Sequence, residues 1–207
     1  ATGVSNTYLG YEAGYGVSGQ NNSFNIGIGD QSMKLIRTGT ENVCVGGKTM
    51  QDLDAGTLAG SSSSNVFLGY EAGSGAWANT QTVGVVAVGQ GAMSGALDNV
   101  DGTVAIGNAA LAALTSGIGN TAIGYQALDA AATSDYNTAV GYQALSGVNA
   151  DGTQGNTALG YTAGLDITSG TANTFVGYDA GYDFDTESGH TFIGYLAGSG
   201  AIAGANN

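Results

Sequence analysis

The sequence predicts an all-β chain, a parallel β-solenoid of about eleven rungs with a period of 17 or more residues, as one repeat domain over residues 1–207. Three observations predict it. A motif recurs: Asn120-Thr121-Ala122-Ile123-Gly124-Tyr125-Gln126-Ala127-Leu128 returns as Asn137-Thr138-Ala139-Val140-Gly141-Tyr142-Gln143-Ala144-Leu145. The spacing between copies has a floor, and every departure from it is an insertion. Columns read down the copies keep their chemistry, as stacked supersecondary units require.

The central glycine of the motif anchors the alignment. Eleven anchors are present: Gly10, Gly29, Gly46, Gly69, Gly89, Gly107, Gly124, Gly141, Gly160, Gly177 and Gly194. Their intervals are 19, 17, 23, 20, 18, 17, 17, 19, 17 and 17 residues. A rung of fixed perimeter with loops at its corners behaves this way. A helical alternative fails, because Gly at this density costs about 1 kcal/mol per interior helical position relative to Ala.

Three residues before the anchor the column is β-branched throughout: Thr7, Ile26, Val43, Val66, Val86, Val104, Thr121, Thr138, Thr157, Thr174 and Thr191. One residue before it the column is aliphatic, from Leu9 and Ile28 to Val176 and Ile193. Two residues apart, they share one face of a strand. This face is expected to be the buried one. The anchor glycine then marks a bend. Three after the anchor the residue is always small, as a tight corner requires.

Two further columns trade volume. Two before the anchor, Tyr8, Phe67, Phe175 and Phe192 coincide with Gly14, Gly73, Gly181 and Gly198 four after it. Where the first site is small (Cys44, Ala105, Ala122, Ala139), the second is large (Met50, Leu111, Leu128, Leu145). Only Ala158 with Gly164 departs from the rule. Constant packing density explains such compensation, so the two columns should meet in one layer. On the strand face opposite the first stripe, that layer is expected to pack against another copy of the chain, making the protein a homo-oligomer, a dimer or a trimer.

One after the anchor stands Tyr in seven copies: Tyr11, Tyr70, Tyr125, Tyr142, Tyr161, Tyr178 and Tyr195. Rungs about 4.8 Å apart would stack these rings, as a stiffener or as a surface-binding ladder for sugars. Four before the anchor stands Asn in eight copies, a ladder-forming side chain. His190, the one histidine, occupies that slot and reads as a turn residue, not a base.

Composition narrows the function. The net charge of −13, from 16 acidic and three basic residues, argues against nucleic acid, whose phosphates need clustered Lys and Arg. Lys34, Arg37 and Lys48 lie in one stretch and read as solvated loops or as a small anion or glycan contact. The lone cysteine, Cys44, permits no intrachain disulfide. No apolar run approaches the ~20 residues of a membrane helix, so no membrane insertion is expected. No nucleophile–base set, Cys/His metal spacing or phosphate-binding loop is present. The chain is therefore expected not to be an enzyme and to need no cofactor. Paired acids at Asp52/Asp54, Asp98/Asp101 and Asp183/Asp185/Glu187 read as solvated loops or as weak Ca²⁺ sites.

The unit Asn-Thr-Ala-Ile-Gly-Tyr-Gln-Ala-Leu resembles the repeats of phage tail fibres and related surface fibres. It is also similar to the head repeats of trimeric autotransporter adhesins, with their Ser-Val-Ala-Ile-Gly core. The resemblance runs from Asn6 to Gly198 and is best over Thr103 to Leu145. It implies a left-handed parallel β-roll, a trimer, an extracellular or virion-surface location, and binding to a host-surface glycan or receptor. Two other readings stay open. One is an ice-binding solenoid, supported by six Thr in the β-branched column but opposed by the Val and Ile that fill the rest of it, by its expected place facing the core and by the lack of a Thr-x-Thr ladder. The other is a polysaccharide-degrading β-helix enzyme, opposed by strand columns almost free of acids.

Overall fold

A computed structural model describes residues 3–16, 22–36, 38–51, 62–77, 81–149 and 152–200. Thirteen short strands are present among them: β1 (Thr7–Leu9), β2 (Ile26–Ile28), β3 (Val43–Val45), β4 (Val66–Leu68), β5 (Val86–Val88), β6 (Val104–Ile106), β7 (Thr121–Ile123), β8 (Ser134–Asp135), β9 (Thr138–Val140), β10 (Gly152–Thr153), β11 (Thr157–Leu159), β12 (Thr174–Val176) and β13 (Thr191–Ile193). Eleven form one parallel sheet in the order β1-β2-β3-β4-β5-β6-β7-β9-β11-β12-β13. The register is the one the anchors dictate: Thr121 pairs with Thr138 and Ile123 with Val140, and Thr174 with Thr191. The β10–β8 pair and the bridges Ser23–Thr40 and Ser63–Val83 make a second, broken parallel ladder. The protein is thus an all-β parallel solenoid, one rung per repeat.

The anchor glycine is required twice over. Its φ lies between +130° and +147° at every anchor, where L side chains rarely go. Its Cα also faces the next rung's backbone: a Cβ on Gly124 would fall 2.2 Å from the carbonyl oxygen of Gly141. The turn that follows is built from residues in the left-handed region. Two after the anchor, Glu12, Lys48, Ala109, Gln126 and Gln143 have φ of 51° to 56°. Four after it, Met33, Leu111, Leu128 and Leu145 have φ of 52° to 55°. This winding turns both Ala127 and Leu128 inward, where both are fully buried.

The strands bury the face opposite to the one expected. Ala105, Ala122, Ala139 and Ala158, two before the anchor, are fully buried with Phe67 and Phe175. The aliphatic column one before the anchor points outward, with Ile106 38%, Ile123 37% and Leu159 49% exposed. The β-branched column three before the anchor shares that outward face, half-buried or exposed. The reason is lumen size. A 17-residue rung encloses a slender core, already occupied by the columns four after the anchor (Leu111, Leu128, Leu145) and seven after it (Leu114, Val148, Ile167, Phe184). Two more columns of Val, Ile and Leu would overfill it; Ala fits.

The volume-trading layer therefore lies inside each rung, not against another copy. A Cβ on Gly73 would fall 2.4 Å from the Phe67 ring, and one on Gly198 2.5 Å from Phe192. The exception at Ala158 and Gly164 also closes. The space over Gly164 is taken by Phe175 of the following rung, 2.6 Å from a Cβ placed there, and the same ring covers Gly181 at 2.4 Å. One phenyl ring serves two glycines.

A buried Asn ladder ties the rungs together. The Asn137 side-chain oxygen accepts the backbone N–H of Asn156 at 3.0 Å. Asn156 accepts that of Asn173 at 2.9 Å, and Asn173 that of His190 at 2.9 Å. The Asn25–Asn42–Asn65 run repeats the pattern. Each amide satisfies a backbone donor that burial would otherwise strand.

Candidate binding surface

The seven tyrosines of the column after the anchor are all exposed, but they do not form one uniform strip. Tyr125, Tyr142, Tyr161 and Tyr178 stack face to face with centroids 5.1, 5.1 and 4.9 Å apart and planes within 12°. Tyr195 continues the run at 5.4 Å, tilted by 30°. In this stack each inner ring spends both faces on its neighbours, so only edges and hydroxyls meet solvent. A sugar ring stacks on an aromatic face, not an edge, and the interior of the ladder offers no free face. Asp179, then partial burial and the rings of Tyr161 and Tyr195, hold the Tyr178 phenol above its ordinary range.

Tyr11 and Tyr70 stand apart from the stack. The Tyr70 ring lies against Gly47, whose Cβ would fall 3.2 Å from it, and Lys48 Nζ sits 5.7 Å from its centroid. Between Tyr70 and Tyr125 two rungs lack tyrosine and carry Gln90 and Asn108 instead. Those amides are exposed, and Asn108 Nδ2 donates to Gln90 Oε1 at 3.3 Å. This break is legible in the same column that shows the tyrosines, once the column is read for its gaps.

Of the three bases, Lys34 pairs with Glu12 at 2.6 Å and Lys48 with Glu71 at 3.6 Å, each across neighbouring rungs; Arg37 lies outside the described residues. These partners leave neither lysine as an unengaged anion contact. The acidic pairs are also spent on turns. Asp101 accepts the Val83 N–H at 2.7 Å, Asp183 that of Gly200 at 2.7 Å, and Asp185 the Thr168 hydroxyl. Asp52 and Asp54 lie outside the described residues. Among the described residues no three His, Cys, Asp or Glu side chains converge to hold a metal. Asp166 sits near Asp183 and Asp185; burial first, then those charges, raise its carboxyl above the usual range.

His190 occupies the Asn slot and is buried, packed on Phe192 at 5.6 Å and edge-on to Phe184 at 4.9 Å. Cys44 is fully buried, and burial pushes its thiol pKa up, away from reactivity. No helix among the described residues is long and apolar enough to cross a membrane. Comparison of the chain with protein-family models, curated proteins and solved structures finds no match.

The surface that the sequence did not lead one to expect is the outward strand face. Ile26, Val45, Ile106, Ile123, Leu159 and Ile193 are exposed along it, with Val66, Val86, Val104 and Val140 half-buried beside them. In β2 to β6 both columns are aliphatic; in β7, β9, β11, β12 and β13 the column three before the anchor is Thr. At about 4.8 Å per rung the face runs roughly 50 Å, and at about 10 Å wide it covers on the order of 500 Å².

Proposed function

We propose that this chain is a structural and adhesive module of a virion tail fibre or other extracellular surface fibre, assembled as a homotrimer through its outward strand face. The observation that carries the reading is the uninterrupted aliphatic column on that face. Single exposed apolar residues need no explanation, but a contiguous stripe of this size marks an interaction surface. At on the order of 500 Å² it is smaller than the roughly 800 Å² that each partner contributes to a standard interface, but it lies at the upper end of the patches that ordinary monomers expose. A partner of the same length and register is another copy, and a cyclic assembly about an axis parallel to the solenoid covers the stripe on every subunit at once. The number three comes from the resemblance to trimeric fibre repeats. The charge of −13 keeps finished assemblies apart in solution. Sedimentation equilibrium of the native chain tests this: the expected mass is about 61 kDa, three times 20.3 kDa, and a folded species at the single-chain mass contradicts it.

A second reading is favoured by one observation. Thr121, Thr138, Thr157, Thr174 and Thr191 stack in register on an outward face, so the objection that this column faces the core falls. A rigid, flat Thr array is the surface an ice-binding solenoid would present. Thermal hysteresis by the monomeric chain supports that use; its absence, with a trimer in solution, leaves the fibre reading alone.

A further inference from the structure

The tyrosine column is broken twice, by Asp30 and Gly47 between Tyr11 and Tyr70 and by Gln90 and Asn108 between Tyr70 and Tyr125; the second break is the one that borders the continuous stack. Four consecutive rungs define the interruption. The column after the anchor reads Tyr70, Gln90, Asn108, Tyr125, and the next column reads Glu71, Gly91, Ala109, Gln126. They are stacked in register by Gly91 N–H to Tyr70 O, Ala109 N–H to Gln90 O and Gln126 N–H to Asn108 O, at 2.9 to 3.0 Å. In the two middle rungs both columns are cut down at once: amides replace the rings, and Gly and Ala replace the longer Glu and Gln. Only the Ser94 hydroxyl lies within 4 Å of where a Gly91 Cβ would be, at 3.9 Å, so the space above Gly91 is open.

The walls of this saddle are aromatic. Tyr125 has one face on Tyr142 and Tyr70 has one side against Gly47 and Lys48; on the gap side the adjoining rungs carry the shorter Asn108 and Gln90 in place of a ring. Three rungs separate the rings, roughly 14 Å at about 4.8 Å per rung. The floor and rims carry planar hydrogen-bonding groups. Gln90 Oε1 is bonded to Asn108 Nδ2, which leaves the Gln90 amide NH₂ and the Asn108 carbonyl oxygen to face solvent. Gln126 Oε1 accepts from Gln143 Nε2 at 3.1 Å, so its own NH₂ is not used in that bond. Glu71, held by Lys48, adds a carboxylate at the opposite rim.

We infer that this break in the ladder, formed by Tyr70, Gln90, Gly91, Asn108 and Tyr125, is a binding site for a neutral oligosaccharide of one or two ring lengths. Aromatic faces take the apolar side of a pyranose, amides satisfy its hydroxyls in pairs, and the shallow floor admits a chain from either side. Glu71 and the −13 net charge disfavour sialylated or sulfated sugars. The site lies beyond the anchor bend, off the strand face assigned to assembly. The inference rests on the adhesive reading above and names its ligand class and its location.

The test uses the full chain on a printed array of neutral, sialylated and sulfated oligosaccharides, followed by calorimetric titration with the strongest neutral binder. Gln90→Tyr with Asn108→Tyr extends the stack across the gap and closes both ring faces; binding should fall at least tenfold while the melting temperature holds or rises. Gln90→Ala with Asn108→Ala should also weaken binding at least tenfold. Tyr161→Ala, inside the stack, should leave it within twofold. Failure of the native chain to retain any neutral oligosaccharide, native-like binding by the closed-gap variant, or a Tyr161→Ala loss as large as that at the gap each overturns the inference. Sedimentation mass of the same samples reads assembly separately: a monomer that still binds at the gap refutes the trimer and leaves this site standing.

Discussion

Replacing one anchor glycine by alanine should reveal how tightly the rungs are stacked. In Gly124→Ala the new Cβ lies 2.2 Å from the Gly141 oxygen and 2.6 Å from its carbonyl carbon. Both are backbone atoms, so no side chain can swing away. The rungs must part locally, which crowds the core by about 1–3 kcal/mol. It also loosens the ladder bond from Gly141 N–H to Ile123 O, 2.8 Å long, for about 0.5–1.5 kcal/mol. A φ of 140° adds about 1–3 kcal/mol of backbone strain, offset by about 0.4–1 kcal/mol from the stiffer unfolded chain. The sum is about 2–7 kcal/mol, on the order of 5–25 °C in melting temperature for a chain of this length. Two controls separate the causes. Gly194→Ala has the same kind of φ, +131°, but its nearest foreign atom is Ala197 Cβ at 3.9 Å, so only the strain of about 1–3 kcal/mol remains, less the same unfolded-chain offset. Gly102→Ala sits mid-stack with φ +66° and nothing within 4 Å, and should cost about 1 kcal/mol. Thermal melts by circular dichroism rank the three. A Gly124→Ala melt within about 2 °C of native, or equal to that of Gly102→Ala, would refute glycine-on-glycine stacking.

Other outcomes follow from the same geometry. Phe175→Ala empties the space over both Gly164 and Gly181 and should cost about 3–5 kcal/mol; adding Gly181→Leu, which copies the Ala139/Leu145 pairing of an earlier rung, should recover part of it in denaturant melts. Asn137→Ala leaves the Asn156 N–H without its acceptor in a fully buried slot, and should lower stability by about 1–3 kcal/mol, more than the same change at exposed Asn108. Asp166 is harder to ionise in the fold than in the unfolded chain, so its charge disfavours the fold above its raised pKa and not below the ordinary carboxylate range. Asp166→Asn should therefore raise the melting temperature slightly at neutral pH and leave it unchanged in acid.

The rung register was legible in the sequence because insertions respect a fixed perimeter, and each of the eleven anchors sits where the pairing places it. Which strand face is buried was not legible from hydrophobicity. Val and Ile in alternation read as an inward stripe, yet Ile123 points out and Ala122 points in. The volume trade held the missing signal: columns that compensate for each other, as Phe67 does for Gly73, must touch within one rung and so must line its lumen. The Ala158–Gly164 exception could not be resolved along one rung, because its filler, Phe175, belongs to the next. The tyrosine column was legible as a stack, and the structure places five of its seven rings in one. Stacking at about 5 Å occupies both ring faces of Tyr142 and Tyr161, which the column read alone does not tell apart from the rings at its breaks and ends.

The outward stripe as a subunit interface is tested most directly by charging it without touching the core. Ile106→Asp, Ile123→Asp and Val140→Asp together alter three stacked rungs on the outward face while Ala105, Ala122 and Ala139 keep the lumen filled. Sedimentation equilibrium should give about 61 kDa for the native chain and 20.3 kDa for the variant, with the same β-rich circular dichroism spectrum in both. A variant that keeps the native mass, or a native chain that sediments as a folded monomer, would contradict the assembly proposed for this face.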